Sequence, residues 1–307
     1  MREPAFTNTG GDPSDIIGAP SEKDDCAVGF HRGVKNRSGA GYCSPALTVA
    51  SVGVVNLAPV VIGATGGSGT RVVARIAKLA GYNLGTNLNL AEDALEFYSF
   101  HDKWINPFVS AERAGQKMTP WQSARMKEDF HAAVACHIPE VERRVARWGW
   151  KAPRSIYLLP FLQGEFEQLK FIHLLRDGRD MALSRNQNQL RKHGCAVLRW
   201  RERLFHSLPE RSALLWERVN LAAADYAEAR LHHNYLRVRF EDLCARPLET
   251  IVQILKFLGA PIDPEPIART EIAPPKTLGR WRTCSPKLIS DIERLAQAAL
   301  RRFEYLA

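Results

Sequence analysis

Four glycines interrupt the stretch Val60-Val61-Ile62-Gly63-Ala64-Thr65-Gly66-Gly67-Ser68-Gly69-Thr70-Arg71, which runs from an apolar tripeptide into a helical pattern. Glycine lets the backbone turn back on itself, so successive N–H groups converge at a helix start and can hold an oxyanion. A tight turn with no ligand is the plainer alternative. Two more positions have anion-binding potential. Arg176 follows the apolar run Phe171-Ile172-His173-Leu174-Leu175, and Ser184 comes eight positions later, so a strand-end arginine and a serine on the next helix are placed to clamp a second phosphate. Lys151 follows Trp150 at another expected strand end, with Pro153 ready to open a helix. The charge balance agrees with an anionic ligand: Lys plus Arg is 42 against 33 Asp plus Glu, a formal +9.

Two common nucleotide loops do not fit. A Walker A loop needs Gly-x-x-x-x-Gly-Lys-Ser/Thr, yet with Gly69 as second glycine the first position is Ala64 and the lysine position is Thr70. A Gly-x-Gly-x-x-Gly fingerprint begun at Gly67 fails at Val72. The basic residues lack an interleaved aromatic platform, so no nucleic-acid partner is expected.

The elements that must position these groups alternate between short apolar runs and longer helical stretches. Strands are expected at 60–62, near Trp150, at 170–175 and at 236–240; helices at 70–79, 155–166, 178–190, 214–231 and 248–258. This pattern predicts an α/β chain of βαβ units around a parallel sheet, with ligands bound beyond the carboxyl ends of the strands. Residues 1–57 are rich in Gly, Ser, Asp and Pro and are expected to be a poorly ordered extension, leaving 58–307 as the α/β domain. No secretory leader is read at the N-terminus, and polar residues break the apolar stretch 46–62, so no membrane span is expected. The six scattered cysteines form no Cys-x-x-Cys pair, which predicts reduced thiols in a cytoplasmic setting and no metal ribbon.

In order and spacing, these motifs resemble the sulfotransferase family, which transfers sulfuryl groups from 3′-phosphoadenosine-5′-phosphosulfate (PAPS). Gly67-Ser68-Gly69-Thr70-Arg71 is similar to that family's 5′-phosphosulfate loop, and Arg176 with Ser184 to its 3′-phosphate motif. Lys151-Ala152-Pro153 resembles its Lys-x-Pro element, and Arg239-Phe240-Glu241-Asp242-Leu243 falls at its late strand, so the likeness spans about 59–285. The resemblance implies a three-layer sandwich with a central parallel sheet flanked by helices, P-loop NTPase-like, and metal-independent in-line transfer to a hydroxyl acceptor such as a carbohydrate, lipid or peptide. It implies that Gly66, Gly67, Ser68, Gly69 and Thr70 hold the 5′-phosphate and that Arg176 and Ser184 hold the 3′-phosphate. Lys151 would donate to the sulfuryl or bridging oxygen. Arg280, in Gly279-Arg280-Trp281-Arg282, stands where relatives close over the cofactor.

The pattern also departs from the family. Many relatives carry a cation where this chain has Gly67; Arg71 either replaces it or points to solvent. The cytosolic branch has a histidine base at the position of Pro153, and glycosaminoglycan-modifying relatives often have Glu at that of Trp150. The tyrosylprotein branch places a glutamate roughly 20 residues past the loop, which makes Glu92 or Asp93 the expected base; otherwise both are first-turn acids of a helix starting near Leu90. Arg199 to Arg211 is either an acceptor lid or a surface helix, and Asn186, Gln187, Asn188 and Gln189 read as helix surface. The alternatives in function are a P-loop-superfamily nucleotide kinase and a non-catalytic nucleotide-binding protein on the same fold.

Overall fold

Four short segments become strands: β1 (Val60–Gly63), β2 (Gly149–Lys151), β3 (Lys170–Leu175) and β4 (Tyr235–Arg239). All pair in parallel, in the order β2-β1-β3-β4. The computed structural model describes residues 58–137 and 147–306. The expected N-terminal extension, Cys26 and Cys43 lie outside the described residues. Those described fall in one contact unit.

Parallel strands need both faces covered, and the strand residues alternate accordingly. Val60 and Ile62 of β1, with Ile172 and Leu174 of β3, pack with Val73 and Ile76 of helix Thr70–Leu79 and Ile251 and Ile254 of helix Pro247–Leu258. Val61, Trp150 and Phe171 point the other way, onto Phe100 and Trp104 of helix Tyr98–Arg113, Phe130 of helix Pro120–His137, and Val219 of helix Leu208–Arg230. This is the expected sandwich of sheet between helical layers. Leu175 begins a third apolar group with Trp216, Ile292 and Phe303, which packs the C-terminal helices against the carboxyl end of β3. Burying a side chain of this size contributes about 1.5–3 kcal/mol, so these contacts hold the sheet edge rigid.

A buried polar network crosses the second layer. His173 of β3 receives the Tyr235 hydroxyl at 2.8 Å and donates to Asn220 at 2.9 Å, and Asn220 donates to the Trp216 carbonyl at 2.6 Å. Complete burial pushes the His173 pKa down to about 4, so the ring is neutral.

Two expectations are corrected. The helix expected over 178–190 is two helices, Gly178–Ala182 and Asn188–Val197. Ser184 Oγ accepts the Asn186 N–H at 3.2 Å, Asn186 Oδ1 accepts that of Asn188 at 3.3 Å, and Gln187 Nε2 donates to the Ser184 carbonyl at 2.7 Å. Short polar side chains thus compete with the helical ladder and win. No helix starts near Leu90: Asn89 Oδ1 accepts the N–H groups of Ala91 (2.8 Å) and Asp93 (2.9 Å) in a turn, with Glu92 at φ 64°. The basic run 199–211 agrees with the surface-helix alternative: a short exposed helix, Trp200–Phe205, precedes the start of Leu208–Arg230, which is capped by Ser207 and Glu210. Among the described residues no helix is long and apolar enough to cross a membrane.

Candidate functional site

A parallel sheet brings all its carboxyl ends to one edge. Register pairs Ile62 with Lys151 and Leu175 with Arg239, so the segments that leave β1, β2, β3 and β4 meet there. A cavity of about 530 Å³ lies at this edge, lined by Gly66, Gly67, Gly69, Thr70 and Arg71 after β1, Lys151 at the end of β2, Arg176 after β3 and Phe240 after β4.

The glycine turn feeds helix Thr70–Leu79, whose N-cap is Gly69 at φ 91°. A Cβ on Gly69 would lie 2.4 Å from the Phe240 ring, so both space and backbone require glycine there. Gly67 (φ 88°) is exposed, and a Cβ there would sit 3.6 Å from Ser184 Oγ. The two anion motifs are therefore adjacent. Ser184 reaches this place from the break between two helices rather than from a helical turn. Ser68 is buried and its hydroxyl donates to the Thr65 carbonyl at 2.7 Å, which braces the loop. Arg71 is exposed, lines the cavity and acts on the charge of Lys151.

Arg176 is 4% exposed. Its Nη2 donates to the Thr277 carbonyl at 2.6 Å and to Asp180 at 3.2 Å, its guanidinium lies 5.5 Å from the Phe240 ring centroid, and its buried Nε has no partner. Asp180 also accepts the N–H groups of Gly279 (2.7 Å) and Trp281 (3.2 Å), which brings the 277–281 segment onto the β3 end. Arg280 donates to the Leu183 carbonyl at 3.4 Å, and its pKa is lowered by burial and by the like charge of Arg176. Two neighbouring guanidinium groups and an unpartnered Nε suit an anion. Arg179 turns away, bound to Asp177 at 2.8 Å and Glu293 at 2.7 Å and stacked on Trp281.

Lys151 is 1% exposed. Its ammonium donates to Asp93 Oδ1 and to the Ala91 carbonyl. Burial lowers its pKa below the usual lysine range, and the Asp93 carboxylate opposes that shift. An ammonium has three donors, so one is left over from these two bonds. Asp93 Oδ2 accepts the Tyr98 hydroxyl at 3.0 Å and the Asn89 amide at 3.3 Å. The two candidate acids are thus separated. Asp93 lines the cavity; Glu92 is not in its wall and pairs with Arg75 (2.9 Å) and Lys78 (2.8 Å), which hold its carboxyl below the ordinary range despite partial burial.

Several wall residues carried no signal in the sequence, His101 and Gln189 among them. His101 is buried, 3.4 Å from Ser155 Oγ through Nε2, with an unpartnered Nδ1. Burial, with Arg154 and His193 nearby, holds it neutral far below the usual imidazole range. Its position in a helix gave no signal. Gln189, read as helix surface, is buried: it accepts the Tyr157 hydroxyl at 3.0 Å and donates to the Ala64 carbonyl at 3.3 Å, which supports the glycine turn from below. Among the described residues no group of three or more His, Cys, Asp or Glu is placed to hold a metal ion.

Comparisons with known proteins bear on this arrangement. A family model described as "Sulfotransferase family" matches residues 59–264. No curated protein matches the chain. Similar solved structures include the sulfotransferase domain of the Synechococcus PCC 7002 olefin synthase, at 19% identity and TM-score 0.45, covering 79% of this chain and 94% of that one. A sulfotransferase from Alicyclobacillus acidocaldarius has 14% identity and TM-score 0.46, covering 81% and 94%. A mouse sulfotransferase complexed with PAP has 14% identity and TM-score 0.46, covering 80% and 85%.

Proposed function

The chain belongs to the sulfotransferase family, and from that premise we propose that it transfers a sulfuryl group from PAPS to a hydroxyl group of a carbohydrate, lipid or peptide. The observation that carries this reading is the buried, unpartnered Nε of Arg176 beside Arg280, in the same cavity edge as the glycine turn and Lys151. The residues present fit such a donor. The loop 66–70 offers backbone N–H groups at a helix N-terminus, and the Thr70 hydroxyl adds a further donor. Arg176, Ser184 and Arg280 supply the grip for a second phosphate, with Arg71 as the loop's own cation. PAPS supplies, when bound, an activated sulfuryl group and a bisphosphate leaving group.

The chain's own groups would do the rest by position and charge. Lys151 is oriented by Asp93 and Ala91, and its remaining donor meets negative charge as it develops on the sulfuryl or bridging oxygen. Asp93 is the proton acceptor of the pair expected from sequence, because Oδ1 accepts from Lys151 and keeps further acceptor capacity inside the cavity. Glu92 is left as the anchor of Arg75 and Lys78. The polar wall formed by Tyr98, His101, Arg154 and Lys192 favours a polar acceptor over a flat apolar one.

Titration with adenosine 3′,5′-bisphosphate, followed by transfer of labelled sulfate from PAPS into glycan, lipid, phenol and peptide extracts, tests the proposal. The expected result is binding of the bisphosphate and a labelled hydroxyl product. Absence of binding would remove the donor assignment. Binding without transfer into any extract would leave the non-catalytic alternative.

A further inference from the structure

Helix Trp200–Phe205 buries none of its six residues. Trp200, Leu204 and Phe205 are 57%, 66% and 76% exposed, and Leu208 at the start of the next helix is 48% exposed. So large an apolar group on a surface marks an interaction site. The charges around it are one-sided. Glu202 accepts from Arg218 Nη1 and Nη2, at 2.7 and 2.5 Å, and Glu210 accepts the Ser207 N–H at 2.7 Å. Arg201 and Arg203 are exposed, and no carboxylate among the described residues pairs with them. The Arg201 guanidinium lies 5.2 Å from the Trp200 ring centroid. The Glu202–Arg218 pair ties the helix to the long helix behind it and keeps this basic, aromatic face turned outward.

We propose that this segment seats the protein on the surface of an anionic lipid bilayer. Trp200, Leu204 and Phe205 enter the headgroup boundary, where amphipathic aromatic rings are favoured, and Arg201 and Arg203 meet lipid phosphates. A second copy of the chain is disfavoured, because a two-fold contact would set Arg201 and Arg203 against themselves. A lipid surface also accounts for the neighbouring cavity of about 460 Å³, which Arg199 and Arg218 line together with Phe108, Leu159 and Val219. Glu112 and Arg113 line it too, and most of the remaining lining, Val109, Ile156, Val197 and Ala223 included, is apolar and suits an acyl chain. The proposal is independent of the acceptor's identity.

Co-sedimentation of the full chain with vesicles of phosphatidylcholine alone, and of equal parts phosphatidylcholine and phosphatidylglycerol, reads the interaction directly. Binding to the anionic vesicles and little to the neutral ones is expected. The triple variant Trp200→Ser, Leu204→Ser, Phe205→Ser should bind roughly tenfold more weakly or less, as should Arg201→Glu with Arg203→Glu. All five positions are solvent-facing, so circular dichroism and bisphosphate binding should match the parent. Unaltered vesicle binding by the triple variant would assign attraction to the overall +9 charge and overturn the proposal. Equal binding to neutral vesicles would overturn the charge component. A concentration-dependent doubling of mass that the triple variant loses, with no vesicle binding, would give the face to a second copy.

Discussion

Lys151 at the end of β2 donates to Asp93, 58 positions earlier in the chain, and is almost wholly buried while doing so. The bond crosses from strand edge to loop and makes the lysine's direction a property of the Asn89–Asp93 turn. Lys151→Met should therefore lower kcat by about 10²–10³-fold, the usual loss for a donor to developing negative charge. Bisphosphate affinity should stay close to the parent value. A matching loss in both quantities, measured by steady-state kinetics and calorimetry, would place Lys151 in ground-state binding instead.

Asp93→Asn and His101→Asn separate two proton acceptors in one cavity wall. Asp93→Asn is expected to cost about 10²–10⁴ in kcat, the range for general base catalysis, and His101→Asn much less. The reverse order would move the role to the imidazole. Glu92→Gln should leave kcat unchanged and instead lower the melting temperature, since it breaks the pairs with Arg75 and Lys78.

Arg176→Ala should weaken adenosine 3′,5′-bisphosphate binding by about 10–100-fold, corresponding to a charge-assisted hydrogen bond of about 1.5–3 kcal/mol. Arg280→Ala, at a more exposed position, should weaken it less. Wild-type affinity in Arg176→Ala would contradict the phosphate contact.

The two loop glycines should behave differently. Gly69→Ala drives a Cβ to 2.4 Å from the Phe240 ring at φ 91°, so it must displace either the ring or the turn and should abolish bisphosphate binding. Gly67→Ala meets its nearest neighbours at 3.6 Å and should show only left-handed strain, about 1–2 kcal/mol in chemical denaturation.

Stability should fall on acidification. His173 titrates at about 4 when folded against an ordinary imidazole value of 6.5. The unfolded chain therefore takes up the proton first as pH drops. The stabilisation is fully present above pH 6.5 and is lost as pH falls toward 4, about 3 kcal/mol from this one ring. His173→Gln should flatten that part of the pH–stability curve measured by urea unfolding. An unchanged slope would show that His173 is not buried neutral.

β1 and β3 were readable because a parallel strand covered on both faces must be apolar; β4, which carries the exposed Arg237, was expected one residue late, at 236–240. The glycine turn was readable for the same local reason: φ values near 90° at Gly67 and Gly69 need glycine. The break after Ala182 was misread. Apolar periodicity says nothing about which backbone N–H a serine or asparagine side chain will take, although the alternation Ser184, Asn186, Asn188 carried the hint.

What the linear order determined was therefore local: which segments are strands, where the backbone must bend, and which cations follow each strand. What tertiary structure alone decided was convergence and choice. The parallel register carries Arg176 to the glycine turn, and the Leu183–Gln187 break sets Ser184 against Gly67. The same packing sends Asp93 into the cavity and Glu92 out to Arg75 and Lys78. Adjacent residues cannot be told apart by composition or period; a turn that points one side chain inward points its neighbour outward, and only the folded chain defines which side is in.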